Sequence, residues 1–200
     1  MKIKKISKDM FVQTNWSGGK TEEIFIYPES AEYSKRNFDV RISTATVELE
    51  RSAFTILPKT KRIITPLSGR LKLFELVNDK ELKLACLKPF EFFNFSGETP
   101  IISYGVCRDF NIMTSEKFSA ETFLLNSTQP KLELVSGELA FVFSYNVETS
   151  ISVNDTVLKI EPMTFFLISE FKIPLVLKLQ KPNSTKNLIV GSLKNKKLYN

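Results

Sequence analysis

The chain has 200 residues, of which 42% are apolar and 25% charged, with seven Gly, nine Pro and two Cys, a composition typical of a globular protein rather than of a disordered, collagenous or disulfide-scaffold chain. It contains no His, so Ser–His and Cys–His catalysis and His-ligated metal sites are excluded, and we expect no cofactor. The formal charge of +6 is local, because residues 171–200 hold seven Lys and no acidic residue, whereas residues 1–170 hold 21 basic and 22 acidic residues. We therefore predict a solubilising basic tail and no nucleic-acid partner. The seven Lys of this tail are Lys172, Lys178, Lys181, Lys186, Lys194, Lys196 and Lys197.

No segment of the sequence is apolar enough to predict a membrane span or a leader. The longest apolar run is Leu139–Phe143, whereas a membrane helix needs about 20 apolar residues and a signal-peptide core about 7 to 15. Cys86 and Cys107 lack metal-ligand spacing, so we expect small buried thiols in a reducing compartment, with a disulfide between them left open. The sequence thus predicts a soluble cytoplasmic protein with no membrane partner.

Along the chain, apolar residues mostly alternate with polar ones, which predicts β-strands. The paired glycines at 18 and 19 permit a tight turn into the first patterned strand. A phosphate-binding loop would have to open a helix, and Ile24–Tyr27 are β-formers instead. Helix is expected only as short turns at Ser30–Asn37 and Ser115–Phe123.

Three predicted strands in the first half carry polar pairs spaced i, i+2, which places both side chains of a pair on one side of the strand. The shared faces are Thr21 and Glu23 with Phe25 and Tyr27, Arg41 and Ser43 with Ala45, Val47 and Leu49, and Asp109 and Asn111 with Met113. If these faces line one barrel interior, their charges must pair with each other or bind something, because unpaired buried charge is costly.

Two interpretations of Arg41 stay open. Glu23 or Asp109 could brace it in an ion pair that specifies the fold, or its planar fork could anchor a small anionic ligand such as a carboxylate. Arg62 is a second candidate donor at the mouth of the same interior. Trp16, the only Trp, is a core or rim aromatic.

Two segments of the first half show the alternation of apolar and polar residues clearly. Leu71, Leu73 and Val77 share one face of Arg70–Val77, and Leu82, Leu84 and Cys86 share one face of Glu81–Leu87.

The second half repeats features of the first. The segments Leu67–Leu71, Leu87–Phe93 and Thr99–Ile101 return as Val135–Leu139, Ile160–Phe166 and Ile173–Leu175. This weak duplication predicts an all-β chain of two tandem antiparallel barrels or sandwiches, with domains at residues 1–117 and 118–200 and the Lys-rich tail in the second.

These residues, in their order and spacing, resemble the HutD/Ves family over roughly residues 10 to 115. The resemblance is carried by WSGGxTxE at 16–23, FDVRISxAxV at 38–47, Ser52-x-Phe54, Leu57-Pro58, Arg62 and DFNxM at 109–113. It implies a cupin-like double barrel in a family with no defining catalytic activity. Its members accompany histidine-utilisation genes or are stress-associated, and a role in sensing a carboxylate such as a formylated glutamate has been entertained.

The family's shared polar residues correspond to seven positions already selected by strand parity, and we add Trp16 to complete the candidate ligand site. The seven are Thr21, Glu23, Arg41, Ser43, Arg62, Asp109 and Asn111. One departure is Lys59, where family members usually have Gly after the Leu-Pro. The His ligands with which many cupins bind metal are missing.

Three functions follow from these observations. We favour a module that binds a small anionic metabolite, because an apolar lumen with a few convergent polar groups is the usual architecture of a ligand site. A metal-independent isomerase or hydrolase with Glu23 or Asp109 as base is the alternative, although Ser43 lacks an activating base. A structural protein is the third, in which edge strands such as Phe90–Phe95 pair in a homodimer. A hard-cation site of Glu23, Asp109 and Asn111 also stays open.

Overall fold

A computed structural model describes residues 1–16, 18–181 and 187–196 of the protein. Over these residues it contains nineteen β-strands and two 3-10 turns, at Lys8–Met10 and Tyr33–Lys35, so the predicted all-β class is confirmed. The strands are β1 (Lys2–Ile6), β2 (Val12–Trp16), β3 (Gly19–Tyr27), β4 (Val40–Val47), β5 (Arg51–Ala53), β6 (Thr60–Gly69), β7 (Leu71–Val77), β8 (Lys80–Leu87), β9 (Phe93–Ser96), β10 (Ile101–Tyr104), β11 (Cys107–Ser115), β12 (Phe118–Leu125), β13 (Lys131–Leu134), β14 (Leu139–Ser144), β15 (Thr149–Val153), β16 (Thr156–Ile160), β17 (Thr164–Ser169), β18 (Leu175–Leu179) and β19 (Leu188–Asn195). Within the described ranges, no helix has the length and hydropathy to span a membrane.

The chain forms two compact units. One comprises Phe11–Phe118, and the other combines Met1–Met10 with Ser119–Asn200. The sequence assigned residues 1–10 to the first unit, and the structure differs because β1 pairs antiparallel with β17. The chain leaves the first unit after Phe118, whereas the sequence predicted the boundary at Lys117.

The unit Phe11–Phe118 contains a six-stranded sheet in the order β2-β3-β4-β11-β6-β9 and a four-stranded sheet in the order β5-β10-β7-β8. Its interior contains an apolar cluster that includes Ile64, Leu71, Leu73 and Ile101. Arg41, Arg62, Asp109 and Asn111 are also buried in this unit. Its interior is therefore only partly apolar.

The unit formed by residues 1–10 and 119–200 contains a five-stranded sheet in the order β1-β17-β14-β19-β12 and a four-stranded sheet in the order β13-β18-β15-β16. Apolar side chains from both sheets form its core, among them Leu125, Val142, Ile151, Phe166 and Leu177. The buried polar side chains described in this unit are small hydroxyls, those of Ser144, Thr149, Thr164 and Ser192.

The two units share one eight-stranded topology. Adding eight to each label from β4 to β11 converts the run β4-β11-β6-β9 into β12-β19-β14-β17, and converts β5-β10-β7-β8 into β13-β18-β15-β16. Paired antiparallel sheets of this kind form a jelly roll. The predicted tandem of antiparallel modules is confirmed, and the extra strands β1, β2 and β3 come from the N-terminal segment.

The repeat also corrects one part of the sequence alignment. The Pro-Phe segments lead into β9 and β17, which are equivalent strands. The Ser-Gly turns precede β7 and β14, which are not equivalent, since β14 corresponds to β6. A Ser-Gly pair marks a turn but does not identify which turn, so this match was wrong.

Several local predictions were also wrong. Ser115–Phe123 contains the end of β11 and most of β12 rather than a helical turn, whereas Ser30–Asn37 does contain one. The Lys-rich segment is not a tail over the described residues, because its apolar Leu188–Leu193 is buried in β19 between β14 and β12. Lys186 and Lys197 lie outside the described residues.

The cysteines and the β8 face differ from expectation as well. Both thiols are free, with Cys107 buried as predicted and Cys86 exposed. Leu82 and Leu84 are 51% and 38% exposed, because β8 is an edge strand whose pairing with β7 shifts register beside Leu84. Val77 lies beyond the same shift and is also exposed.

Candidate ligand-binding cavity

The unit Phe11–Phe118 encloses a cavity of about 540 Å³. The eight residues predicted from the sequence all line it: Trp16, Thr21, Glu23, Arg41, Ser43, Arg62, Asp109 and Asn111. The convergence expected from strand parity is therefore present in the structure, whereas a role in binding stays a prediction.

Cross-strand pairing arranges the cavity wall in three rows, because directly opposed residues of antiparallel strands point to the same side of the sheet. The first row is Thr21, Ala45 and Asp109; the second is Glu23, Ser43 and Asn111; the third is Ile26, Arg41, Met113 and Arg62. Neighbouring strands lie about 4.8 Å apart, so the two Arg of the third row approach the cavity from strands about 10 Å apart.

A β-bulge changes which residues of β3 face this wall. Glu23 opposes Ser43, but Phe25 opposes Ile42, which leaves Ile24 as the extra residue. Beyond the bulge Ile26, opposite Arg41, continues the cavity face. The prediction that Phe25 and Tyr27 share the face of Thr21 and Glu23 was therefore wrong.

Arg41 already has a carboxylate partner. Its Nε donates to Glu23 Oε2 over 2.6 Å and its Nη1 donates to Ser43 Oγ over 3.3 Å. The guanidinium carbon lies 4.0 Å from the ring centroid of Tyr33. The bracing interpretation thus describes the Arg41–Glu23 pair, with Glu23 rather than Asp109 as the partner.

Arg62 is held differently. It is 5% exposed, its guanidinium carbon lies 4.9 and 5.0 Å from the ring centroids of Phe54 and Phe95, and its Nη1 reaches the Thr55 carbonyl at 3.4 Å. Its Nε has no hydrogen-bond acceptor. Burial lowers the pKa of Arg62 from its ordinary value to about 10, against the opposing effects of Tyr33 and Asp109 and with a smaller lowering effect of Arg41. Arg62 is therefore a desolvated cation that packs against two aromatic rings, and its Nε–H has no acceptor among the described residues.

Two acceptor oxygens on β11 also lack a hydrogen-bond partner among the described residues. Asp109 Oδ1 and Asn111 Oδ1 are buried without a hydrogen-bond partner. Burial raises the pKa of Asp109 to about 7, against the opposing effects of Arg62, Arg108 and the Ala45 N–H. Because buried polar groups are almost always satisfied by protein or by water, these two oxygens are positioned to accept hydrogen bonds from a molecule in the cavity.

The turn before Arg62 is retained despite the family departure. Lys59 adopts the left-handed conformation with a φ of 57°, and its N–H donates to Glu98 Oε1 over 3.1 Å. A Gly adopts this conformation without steric cost, which explains why family members usually carry Gly here. Arg62 follows this turn on β6 and lines the cavity.

At the rim, Trp16 is 36% exposed on β2, an edge strand of the six-stranded sheet. A Cβ on Gly18 would lie 2.1 Å from the indole ring, so the ring covers this glycine. Gly19 has a φ of 148°, and a Cβ there would lie 1.9 Å from the Thr46 carbonyl oxygen. The two glycines thus let the hairpin close and place Trp16 against the cavity.

Sequence reasoning missed the aromatic partners of both Arg. Tyr33 comes from the stretch assigned to a helical turn, Phe54 directly follows β5, and Phe95 lies on β9, which pairs with the β6 strand of Arg62. Phe54 was part of the family string, which was the available signal. Phe90–Phe95 was expected as an edge strand that pairs in a homodimer. Its β9 is an edge strand of the six-stranded sheet with Phe95 packed on Phe54 and Arg62, and dimerisation stays untested.

The chemistry available in the cavity is acid–base or electrostatic. Ser43 Oγ is a hydrogen-bond acceptor for Arg41, so no activated nucleophile is formed there. Among the described residues, no three His, Cys, Asp or Glu side chains cluster in a way that could hold a metal ion. Of the two carboxylates considered as bases, Glu23 is paired with Arg41 and Asp109 is not hydrogen-bonded through Oδ1.

Comparison with known proteins agrees with this geometry. The sequence matches the HutD family over residues 8–181. The chain belongs to the HutD family. No curated protein sequence matches it.

Solved structures show the same fold as this HutD-family chain. HutD from Pseudomonas fluorescens SBW25, in a formate condition, and a conserved protein of unknown function from Pseudomonas aeruginosa PAO1 each superpose with a TM-score of 0.76 at 20% identity, covering 98% of this chain and 100% of theirs. Oxalate decarboxylase from Bacillus subtilis superposes with a TM-score of 0.58 at 7% identity, over 96% of this chain and 76% of its own. The predicted cupin-like fold is confirmed.

Proposed function

We propose that this HutD-family protein binds a small carboxylate metabolite in the cavity of the unit Phe11–Phe118, with Arg62 as its anchor. One observation carries the proposal: the buried Arg62 guanidinium, which has no carboxylate within ion-pair distance among the described residues, faces a cavity large enough for a metabolite. Keeping such a charge desolvated is costly, and an anionic ligand would supply the missing partner. A planar guanidinium binds a carboxylate through two parallel hydrogen bonds.

Arg41 has a secondary role in this proposal. The Arg41–Glu23 ion pair has a net charge close to zero, so its electrostatic attraction for an anionic ligand is weaker than that of Arg62. Asn111, one row from Arg62 and with a spare acceptor oxygen, would orient an N–H group of the ligand. The sequence-based choice of Arg41 as anchor is therefore replaced by Arg62.

The protein would act as a binding module that reports a carboxylate level, as a regulator of amino-acid catabolism would. The formate in the P. fluorescens condition is itself a carboxylate. N-formyl-L-glutamate is the first probe because the family resemblance suggests it. Glutarate provides the same carbon length without the formamide group.

The test is isothermal titration of the full chain with N-formyl-L-glutamate and glutarate, with glutaramide as the uncharged control. Both carboxylates should bind and glutaramide should not. Saturation at 100 times the Kd should add about 2.7 kcal/mol to the free energy of unfolding. Arg62→Met should abolish binding, whereas Arg70→Met, which removes an exposed guanidinium outside the cavity, should leave it unchanged. Failure of both carboxylates to bind, or equal binding by Arg62→Met, would overturn the proposal.

A catalytic use of the cavity is favoured by one observation, the buried Asp109 carboxyl whose pKa of about 7 suits a general base. Such a base would exchange the protons next to a bound carboxylate with solvent. Incubation of N-formyl-L-glutamate with the protein in D₂O, followed by proton NMR, measures this exchange. Loss of the α-proton signal in the wild type but not in Asp109→Asn would establish catalysis, and an unchanged signal would exclude this reaction.

A further inference from the structure

Among the described acidic side chains that line the cavity, Asp109 has the fewest hydrogen-bond and ion-pair partners. It is 4% exposed on the cavity wall, and its Oδ1 lacks a hydrogen-bond partner. Glu23, the other buried acid of the wall, is neutralised by Arg41. Over the described part of the chain, no basic group lies within ion-pair distance of Asp109, although Arg62 faces the same cavity.

The charges around Asp109 come from each element that packs against it. Arg62 is on β6, Arg41 and the Ala45 N–H are on β4, and Glu23 is on β3. On β11 itself, Arg108 forms an ion pair with Glu22 and Cys107 is a buried thiol. The segment between β3 and β4 adds Tyr33 and Glu32 to the wall, and Glu32 forms an ion pair with Lys35. Burial outweighs the favourable charges, so the pKa of Asp109 rises to about 7.

An anionic ligand changes this balance in one direction. When the ligand carboxylate binds Arg62, it neutralises the positive charge that partly stabilises the Asp109 carboxylate. The ligand also adds a negative charge near Asp109. Both effects favour the neutral acid, since a nearby like charge disfavours ionisation of a buried carboxyl. A neutral Asp109 also gains an O–H donor, and its unpartnered oxygen lies in the cavity wall.

We propose that the cavity takes up one proton, on Asp109, when it binds a carboxylate, and that the neutral Asp109 then donates a hydrogen bond to an acceptor oxygen of the ligand. The proton comes from solvent. This inference rests on the proposed function, and it makes Asp109 a specificity-determining residue that selects ligands with an acceptor beyond the carboxylate held by Arg62. The affinity then depends on pH, although the ligand itself does not titrate near neutrality.

The experiment is titration of the full chain with N-formyl-L-glutamate in buffers of different ionisation enthalpy, which gives the number of protons taken up. With a pKa of about 7 in the free protein, uptake should be about 0.1 proton near pH 6, about half near pH 7 and about 0.9 near pH 8. The Kd should rise about tenfold per pH unit above pH 7.

The variants separate this inference from the function beneath it. Asp109→Asn carries a permanently neutral side chain with an N–H donor, so it should bind with no proton uptake and a pH-independent Kd, about tenfold tighter than the wild type near pH 8. Asp39→Asn, which removes a carboxylate outside the cavity lining, should keep the wild-type uptake. Binding without proton uptake in the wild type, or undiminished uptake in Asp109→Asn, would overturn the inference and leave the proposed function standing. Absence of binding by N-formyl-L-glutamate and by glutarate would overturn both.

Discussion

Replacing Arg62 with Met should stabilise the protein while abolishing carboxylate binding. Burial lowers the pKa of Arg62 from its ordinary value to about 10, which corresponds to about 3 kcal/mol of free energy that the charged side chain costs the folded state at neutral pH, where it is charged both folded and unfolded. Met keeps the aliphatic contacts with Phe54 and Phe95. It loses the Thr55 hydrogen bond, worth about 1 kcal/mol, and two cation–π contacts, worth about 0.5 kcal/mol each.

The net expectation is a gain of about 1 kcal/mol in the free energy of unfolding, or about 5 °C in Tm for a unit of this size. Urea unfolding followed by circular dichroism measures the gain, and scanning calorimetry measures the Tm. Arg70→Met, at an exposed position, should change stability by less than about 0.5 kcal/mol. If Arg62→Met instead lost several kcal/mol and still bound carboxylate, Arg62 would be a structural residue and the reasoning would be refuted.

Three further predictions follow. Arg41→Met should cost about 2 kcal/mol because it leaves Glu23 without its cation, whereas Arg41→Met combined with Glu23→Leu should restore most of that loss; equal losses in the single and double variants, measured by urea unfolding, would contradict the pair. The pKa of Asp109 rises from 3.8 to about 7 on folding, so its contribution to the free energy of unfolding, up to about 4 kcal/mol, is present below about pH 4 and is lost as the pH rises through 7. Asp109→Asn should therefore flatten the pH profile of Tm in this window and have a higher Tm than the wild type at pH 8. An unchanged profile would contradict the burial of the charge. Lys59→Gly should leave stability unchanged or raise it by up to about 1 kcal/mol, whereas Lys59→Val should lower it, because φ is 57°; calorimetry showing the reverse order would contradict the left-handed turn.

Strand parity predicted which side chains of three strands share a face. Residues two apart lie on the same side of a strand, and the antiparallel pairing seen in the structure brings Ser43 opposite Asn111 and Ala45 opposite Asp109, so the predicted polar pairs meet in one wall. The argument failed where the parity changes. The extra residue at Ile24 turns Phe25 away from the cavity, and the register shift beside Leu84 leaves an apolar face of β8 in solvent. A bulge leaves no reliable mark in a single sequence.

The sequence could not decide which Arg is the anchor. Both are buried in the same row of the wall, and their difference comes from partners on other segments of the chain. Arg41 pairs with Glu23 on the neighbouring strand β3, whereas Arg62 lies against Phe54 and Phe95 and has no carboxylate within ion-pair distance among the described residues. Such contacts depend on how strands pair across the unit, which residue spacing does not specify.

A crystal structure of the protein grown with saturating glutarate tests the proposed binding function most directly. We predict density for the ligand in the cavity of the unit Phe11–Phe118, with a carboxylate about 3 Å from the Arg62 guanidinium nitrogens. An unoccupied cavity at saturating glutarate, or a ligand bound only at another surface, would contradict it.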